Sequence, residues 1–463
     1  MNYESGIMIH NSKFIILKMD QGIFKAYDIR GIYPEQLNGQ DAYKIGQAIA
    51  QFTKAKRIVV GMDMRSSSPE ISEGLMRGIT EQGSDVINIG LVSTPMVYYA
   101  SWNLDVDAGV MITASHNTSE WNGLKLCRKN AVPIGEGNGM EEISSLALSG
   151  NFEKNDKPGN IEIDTNIKLQ YFEYISSFFK KGLGKKKIVI DFANSVGALD
   201  KDIYEKFPND IEPIYLFEEL DGTFPNHEAN PLKLETLKAL QEKVISEKAD
   251  FGISYDGDAD RIGFVDENGD IVPMDFGIAL LAKEALKKFP GAIILMDLRS
   301  SNAVKEVIEE AGGIVHRCRV GHSLIKGQMR NEGAIFAGEL SGHYFFEENS
   351  KAEMTTLAAM TLLNLMNESG KKMSELTHEL QRYSHSGEIN SDVEDKIGMM
   401  NKLKEIYADG NIDELDGVRI DFADWWFNVR ASNTEPKLRL NLEAKTKELM
   451  EEKRDELLSI IRG

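Results

Sequence analysis

Three short stretches of this chain repeat one pattern: KRIVVGMDMRSSSPE from Lys56, KKIVIDFANSVGA from Lys186 and GAIILMDLRSSNAV from Gly291. Each opens with a continuous apolar run rich in β-branched residues. It then passes through a polar turn holding Asp and Ser, and continues into a helix-like segment. A strand that is apolar at every position is covered on both faces, as parallel strands between helices are. The polar turn after such a strand, at a helix N-terminus, is a place where phosphate groups are held. Three occurrences predict three related α/β units. Length agrees, because 463 residues are too many for one compact core.

The end of the chain reads differently. GVRIDFADWWFNVRAS and KLRLNLEAK alternate as half-buried strands joined by NTEP, and KELMEEKRDELLSIIRG has helical spacing. A strand pair followed by a helix predicts a smaller α+β unit from Ser384 onward. DKPGNIEID and ENGDIVPMD are the expected joins between the earlier units. The predicted division is 1–162, 163–268, 269–383 and 384–463. The fold class is therefore α/β, with three related α/β domains of mixed or largely parallel sheets and a smaller C-terminal α+β domain.

Charge narrows the partners. Acidic residues outnumber basic ones by 73 to 53, a formal charge of −20. That argues against a general binder of nucleic acid or of anionic membranes. An acidic chain that handles an anion must gather its Lys and Arg at one place. Two distant cysteines, Cys127 and Cys318, read as reduced thiols of a cytoplasmic protein. The first residues lack the basic start and long apolar core of a signal peptide. TTLAAMTLLNLM is too short and too polar-spotted for a membrane span, so it reads as a buried helix.

Four motifs carry chemistry. In TASHNTSEWNGLK, from Thr113 to Lys125, an apolar run opens into a turn with Ser115 and His116 side by side. No Gly-x-Ser-x-Gly elbow occurs in the chain, so acyl transfer has little support. A capped polar turn and a reactive loop remain equally open for this segment. Lys125 alternates with Leu124 and Leu126, so on a strand it faces away from them and can return to the loop. In YDGDADRIGF, Asp256, Asp258 and Asp260 stand at every second position and repel one another unless a cation sits among them. Oxygen ligands favour Mg²⁺ or Ca²⁺ over Zn²⁺. An EF-hand fails because Arg261 occupies the position where that loop needs glycine. The competing reading is an acidic surface turn.

In AGELSGHYFF, Glu339, Ser341 and His343 suit the hydroxyls of a sugar, and equally suit a polar hairpin. In VRASNTEPKLR, Arg430, Ser432, Asn433 and Thr434, with Lys437 and Arg439 behind them, form a phosphate clamp or a capped turn with solvated cations. FKAYDIRG adds Tyr27 and Arg30, and RVGHSLIKG adds His322 and Lys326. A serine, a divalent metal, an anion clamp and a hydroxyl-binding loop together meet the needs of phosphoryl transfer to or from a sugar.

On YDIRG, TASHN with NGLK, DGDADR, GELSGH and RASNTEP, taken in that order, the chain resembles the α-D-phosphohexomutase superfamily, in particular its phosphomannomutase/phosphoglucomutase members. The resemblance spans nearly the whole chain. It implies four domains and a phosphorylated Ser115. Asp256, Asp258 and Asp260 are implied as Mg²⁺ ligands, with the phosphoserine completing the site. Glu339 and Ser341 are implied as sugar contacts, and Arg430, Ser432, Asn433 and Thr434 as the clamp for the phosphate that is not transferred. His116, Lys125 and His343 are implied as acid/base or stabilising groups. Tyr27, Arg30, Arg261, Arg299 and His322 join the substrate-binding set. The implied activity is interconversion of hexose 1-phosphate and hexose 6-phosphate through hexose 1,6-bisphosphate, by a cytoplasmic monomer or homodimer. Alternatives are a phosphoglucosamine mutase, a phosphoserine-intermediate phosphatase and a non-catalytic sugar-phosphate-binding protein.

Three departures stand out. Thr118 follows Ser-His-Asn where the family often has Pro. Arg299 stands where relatives commonly have Lys, which keeps the charge but changes its geometry. Leu340 stands where phosphoglucosamine mutases usually have Gln, which favours mannose and glucose phosphates.

Overall fold

The computed structural model describes residues 19–431 and 437–463. Four sheets follow one another along the chain. The first contains β1 (Ile29–Ile32), β2 (Arg57–Met62), β3 (Asp85–Leu91), β4 (Ala108–Ile112) and β5 (Trp121–Arg128). The second contains β6 (Lys186–Asp191), β7 (Ile211–Leu216), β8 (Phe251–Tyr255) and β9 (Ile262–Val265). The third contains β10 (Ile293–Asp297), β11 (Ile314–Cys318), β12 (Phe336–Gly338) and β13 (Tyr344–Phe346).

The three repeated sequence segments are β2, β6 and β10 with the turns that follow them. Each of these strands has parallel neighbours on both sides. The next strand outward then runs antiparallel, so the order β5-β4-β2-β3 recurs as β9-β8-β6-β7 and as β13-β12-β10-β11. The sheets are thus mixed, with a parallel centre and an antiparallel hairpin on one side. That hairpin places three turns at equivalent positions: β4 to β5, β8 to β9 and β12 to β13. These are the turns that carry TASHN, DGDADR and ELSGH. Each holds one residue in the left-handed region, Ser115 at φ 52°, Ala259 at 61° and Gly342 at 87°.

The continuous apolar runs are explained by burial on two faces. On β2, Ile58 and Val60 pack with Ile45, Ile71 and Leu75, while Val59 points the other way onto Met96 and Val97. On β6, Val189 has its own cluster with Leu240 and Val244, while Ile188 and Ile190 join the cluster of Val59. Ile294 and Met296 of β10 reach the same cluster. One apolar core is therefore shared by all three units, and each unit keeps a second core on its outer face. Removing this area from water is the main favourable contribution to folding, at about 1.5–3 kcal/mol for each fully buried Val, Leu or Ile. The segment TTLAAMTLLNLM lies in the helix Thr355–Ser369, buried in the shared core. Among the described residues, no helix is long and apolar enough to cross a membrane. Cys127 and Cys318 are both buried and unbridged.

The fourth sheet is antiparallel and contains β14 (Val418–Asp421), β15 (Trp425–Ala431) and β16 (Lys437–Ala444). The sequence pattern exposes only its central pair. Short strands at Ser384–His385, Ile389–Asp392 and Asn411–Asp413 complete six. They are too short for alternation to be read. Helices Lys396–Ile406 and Lys447–Arg462 cover its apolar face, with Leu403, Leu457 and Ile461 on Ile420, Phe427 and Leu440.

Candidate active site

The first two hairpin turns meet face to face. Ser115 is fully buried, and its Oγ donates to Asp256 Oδ2 at 3.1 Å and lies 3.2 Å from His116 Nδ1. Its backbone N–H donates to Thr113 Oγ1 at 2.8 Å. Asp256, Asp258 and Asp260 are each 0 % exposed, which rules out an acidic surface turn. Lys125 on β5 does face away from its leucine neighbours, and its ammonium lies between the carboxylates, 2.7 Å from Asp258 Oδ2 and in contact with Asp260. Thr94, at the start of the helix Thr94–Asn103, donates to Asp258 Oδ2 at 2.6 Å.

Against the three carboxylates stand the Lys125 ammonium, His343 at 3.3 Å from Asp260 Oδ1, and Arg261 at 3.9 Å from Asp256 Oδ2. Burial and the two neighbouring carboxylates raise the pKa of Asp256. Burial opposes the charge on Lys125, but Asp258, Asp260 and Asp256 outweigh it and raise its pKa. One carboxylate oxygen from each aspartate lies within 4.8 Å of the others, and Asp258 Oδ1 has no hydrogen-bond partner among the described residues. Buried carboxylate oxygens gathered this closely, one of them unpartnered, fit a hard divalent cation.

A fully buried arginine holds the first turn. Arg65 Nη1 donates to the carbonyls of Thr118 at 2.7 Å and Trp121 at 3.0 Å, and Nη2 to those of Ser115 at 2.8 Å and Asn117 at 2.7 Å. Its Nε donates to Asp63 Oδ2 at 3.1 Å. Sequence reasoning missed it, yet the signal was there. Asp63-x-Arg65 in DMRSS matches Asp297-x-Arg299 in DLRSS, and Arg299 makes the same pair with Asp297 at 2.9 Å. In the second unit the Arg position is Ala193, and His227 Nε2 occupies the partner's place, 3.0 Å from Asp191 Oδ2.

The second turn meets the third. Ile262 N donates to the Gly342 carbonyl at 3.0 Å, and His343 Nε2 lies 3.3 Å from Asp260 Oδ1. Burial opposes the His343 charge, but Asp260 and Glu339 outweigh it and lift its pKa to about 9. Glu339 Oε2 accepts from Ser341 Oγ at 2.7 Å and lies 2.9 Å from His343 Nδ1. Against burial, His343, Arg299 and Ser341 hold Glu339 down at about 2. His116 is pushed well below its usual range, first by Arg261 and then by burial and Arg30.

Above these turns lies a cavity of about 700 Å³, lined by Tyr27, Arg261, Arg299, His322, Glu339, Leu340, Ser341, His343 and Arg430. Arg261 and His343 separate it from the aspartates. The Tyr27 hydroxyl donates to the Val320 carbonyl at 3.1 Å, which ties the first unit to the third. Burial and the neighbouring Arg299 lower the pKa of Arg430. Arg30 does not line the cavity. It donates to Asn117 Oδ1 at 2.6 Å and pairs with Asp28. Lys326 also points elsewhere, to Glu353 at 3.0 Å and over the Tyr98 ring. Ser432, Asn433 and Thr434 lie outside the described residues. Sequence reasoning named Arg439 only as a background cation and did not name Glu388. Both line the cavity.

The contact between the first two turns depends on glycine. A Cβ on Gly257 would stand 2.2 Å from the Ser115 carbonyl oxygen. Gly257→Ala should push the Ser115 turn away, lowering kcat/KM by about a hundredfold. The thermal stability cost should be about 1–3 kcal/mol. Wild-type kinetics in this variant would show that the close approach is not needed.

Four domain models, described as phosphoglucomutase/phosphomannomutase α/β/α domains I, II and III and the C-terminal domain, match residues 21–154, 170–269, 274–383 and 388–460. A phosphomannomutase of Methanocaldococcus jannaschii is 40% identical over 448 residues, covering 96% of this chain and 98% of that one. A phosphomannomutase of Escherichia coli K12 is 35% identical over 449 residues, covering 95% and 98%. A crystal structure of a phosphoglucomutase/phosphomannomutase family protein from Burkholderia thailandensis superposes with a TM-score of 0.88 at 29% identity, covering 96% of this chain and 97% of that one. With all four domain models matched in order, and relatives of this identity aligned almost end to end, the chain belongs to the phosphoglucomutase/phosphomannomutase family.

Proposed function

We propose that this protein is a Mg²⁺-dependent phosphohexomutase that interconverts the 1- and 6-phosphates of mannose or glucose. The observation that carries the reading is the meeting of Ser115 with Asp256 beneath a cavity lined by arginines and the Glu339 turn. The activity named for the relatives supports it. In the first half-reaction the bond from phosphorus to Ser115 Oγ breaks and Oγ takes up a proton, while a bond forms to the free sugar hydroxyl, whose proton leaves to a base. In the second, Ser115 Oγ gives up its proton as the other phosphoryl group of the bisphosphate passes to it, and the sugar oxygen left behind takes up a proton. His116, 3.2 Å from Ser115 Oγ, and Lys125, held among the aspartates, are the candidates for proton transfer. His343 is held as a cation that orients Glu339 and the sugar. Asp256, Asp258 and Asp260 would hold Mg²⁺, which when bound supplies positive charge for the phosphoryl group in transit. Ser115 is fully buried, so the cleft must open for exchange and closes water out during transfer.

Arg430 is assigned to the phosphate that is not in transit, with Ser432, Asn433 and Thr434. Arg430→Ala should raise KM about tenfold or more with a smaller change in kcat, as a charge-assisted bond is worth about 1.5–3 kcal/mol. An unchanged KM would remove Arg430 from the clamp. Leu340 at the cavity wall supports mannose and glucose phosphates over glucosamine phosphate. The deciding assay measures turnover of the 1-phosphates of mannose, glucose, glucosamine and N-acetylglucosamine after priming with hexose 1,6-bisphosphate. Preference for glucosamine 1-phosphate would move the chain to the phosphoglucosamine mutases. Absence of turnover on all four would favour the non-catalytic alternative.

A further inference from the structure

One group in the cavity wall is not asked for by a phosphate clamp. The Glu388 carboxylate sits among three guanidiniums. Its Oε2 is 3.5 Å from Arg299 Nη1 and 3.8 Å from Arg430 Nη2, and its Oε1 is 3.5 Å from Arg439 Nη1. Docked charge-assisted bonds close to about 2.7–2.9 Å. The carboxylate is therefore held between the three cations without seating on any of them. The Nε groups of Arg430 and Arg439 are buried, with no hydrogen-bond partner among the described residues. Asp297 already pairs with Arg299, so Glu388 chiefly faces Arg430 and Arg439, and their unused Nε groups leave donors and charge for another anion.

We propose that Glu388 is an exchangeable counter-ion: it holds the three guanidiniums together while the clamp is empty and gives way when a phosphate enters. The proposal rests on the reading of Arg430 as part of the clamp. Without Glu388, Arg430 would face Arg439 and the Asp297-paired Arg299 with no carboxylate between them. With Glu388 present, an incoming phosphate dianion must displace a carboxylate, so binding is weaker and release faster than three arginines alone would give. That suits a bisphosphate that must leave the clamp, turn, and bind again by its other end. Arg299 follows β10 of the third unit, whereas Arg430 and Arg439 lie on β15 and β16 of the fourth. The same carboxylate thus bridges two domains when no phosphate is present.

The test titrates inorganic phosphate into the wild type, Glu388→Gln, Glu388→Asp and Arg430→Ala, and measures steady-state kinetics on mannose 1-phosphate. Glutamine keeps the shape and removes the charge. Glu388→Gln should bind inorganic phosphate about three- to tenfold more tightly. Its KM and kcat should both fall, because release slows. A residue that merely supports the arginines would instead raise KM. Glu388→Asp should stay near wild type in phosphate affinity. Equal tightening in the Asp and Gln variants would assign the effect to shape and overturn the proposal. Unchanged or weaker phosphate binding by Glu388→Gln, with Arg430→Ala still weakened, would overturn the role of Glu388 and leave the clamp intact. Unchanged binding by Arg430→Ala would refute the clamp itself.

Discussion

Replacing Ser115 by alanine should cut hexose-phosphate interconversion by at least about ten-thousandfold, because the variant has no oxygen to carry the phosphoryl group. The fold should persist. The lost hydrogen bond to Asp256 is worth about 0.5–1.5 kcal/mol, and the Ser115 backbone remains held by Thr113 and Arg65. Intact-mass measurement of the wild type after priming should find one phosphate, mapped to the peptide containing Ser115, and the variant should lack it. A mutase conserves that phosphate. Dephosphorylated wild type should therefore be nearly inactive on hexose 1-phosphate alone and recover when a little hexose 1,6-bisphosphate is added. Stoichiometric release of inorganic phosphate in each turnover would replace the mutase with a phosphatase. A label on another residue would displace Ser115 from the mechanism.

Asp258→Asn should be the second severe change. It removes charge from the centre of the three carboxylates while keeping nearly the same volume, so packing in this fully buried turn is preserved. Turnover should fall by about three orders of magnitude, the loss of several kcal/mol of charge stabilisation. A readout independent of activity is available. Mg²⁺ at a hundred times its dissociation constant should stabilise the wild type by about 2.7 kcal/mol. The melting temperature of the variant should not respond over the same range. An equal Mg²⁺ response in both proteins would place the cation elsewhere.

Much of this was legible before any coordinates. The runs at Ile58, Ile188 and Ile293 announced strands buried on two faces, because periodicity reports burial directly. Among the turns, the alternating aspartates pointed to a cation by themselves, whereas the Ser115 and Glu339 turns equally suited capped polar turns and were singled out only by the family resemblance. The common position of the turns was not legible. That the three turns are the same hairpin in three sheets depends on strand order, which local sequence does not encode. Glu388 left no signal, since one glutamate in so acidic a chain resembles any other, and only the fold brings three arginines around it. The short strands of the fourth sheet escaped because two to four residues cannot display a period.

Arg65 has a consequence for which partner moves. It grips four carbonyls of the Ser115 turn from a position 1 % exposed, so that turn has no freedom apart from its sheet. If the phosphoryl donor cannot swing, the ligand must tumble, presenting first one end and then the other to a stationary point. The commitment of each bisphosphate to finish its half-turn inside the protein is then decided by the opposite wall, where the arginines let go and catch again. Under the proposed mechanism, processivity would then be set by the third and fourth domains, while the covalent chemistry would belong to the first.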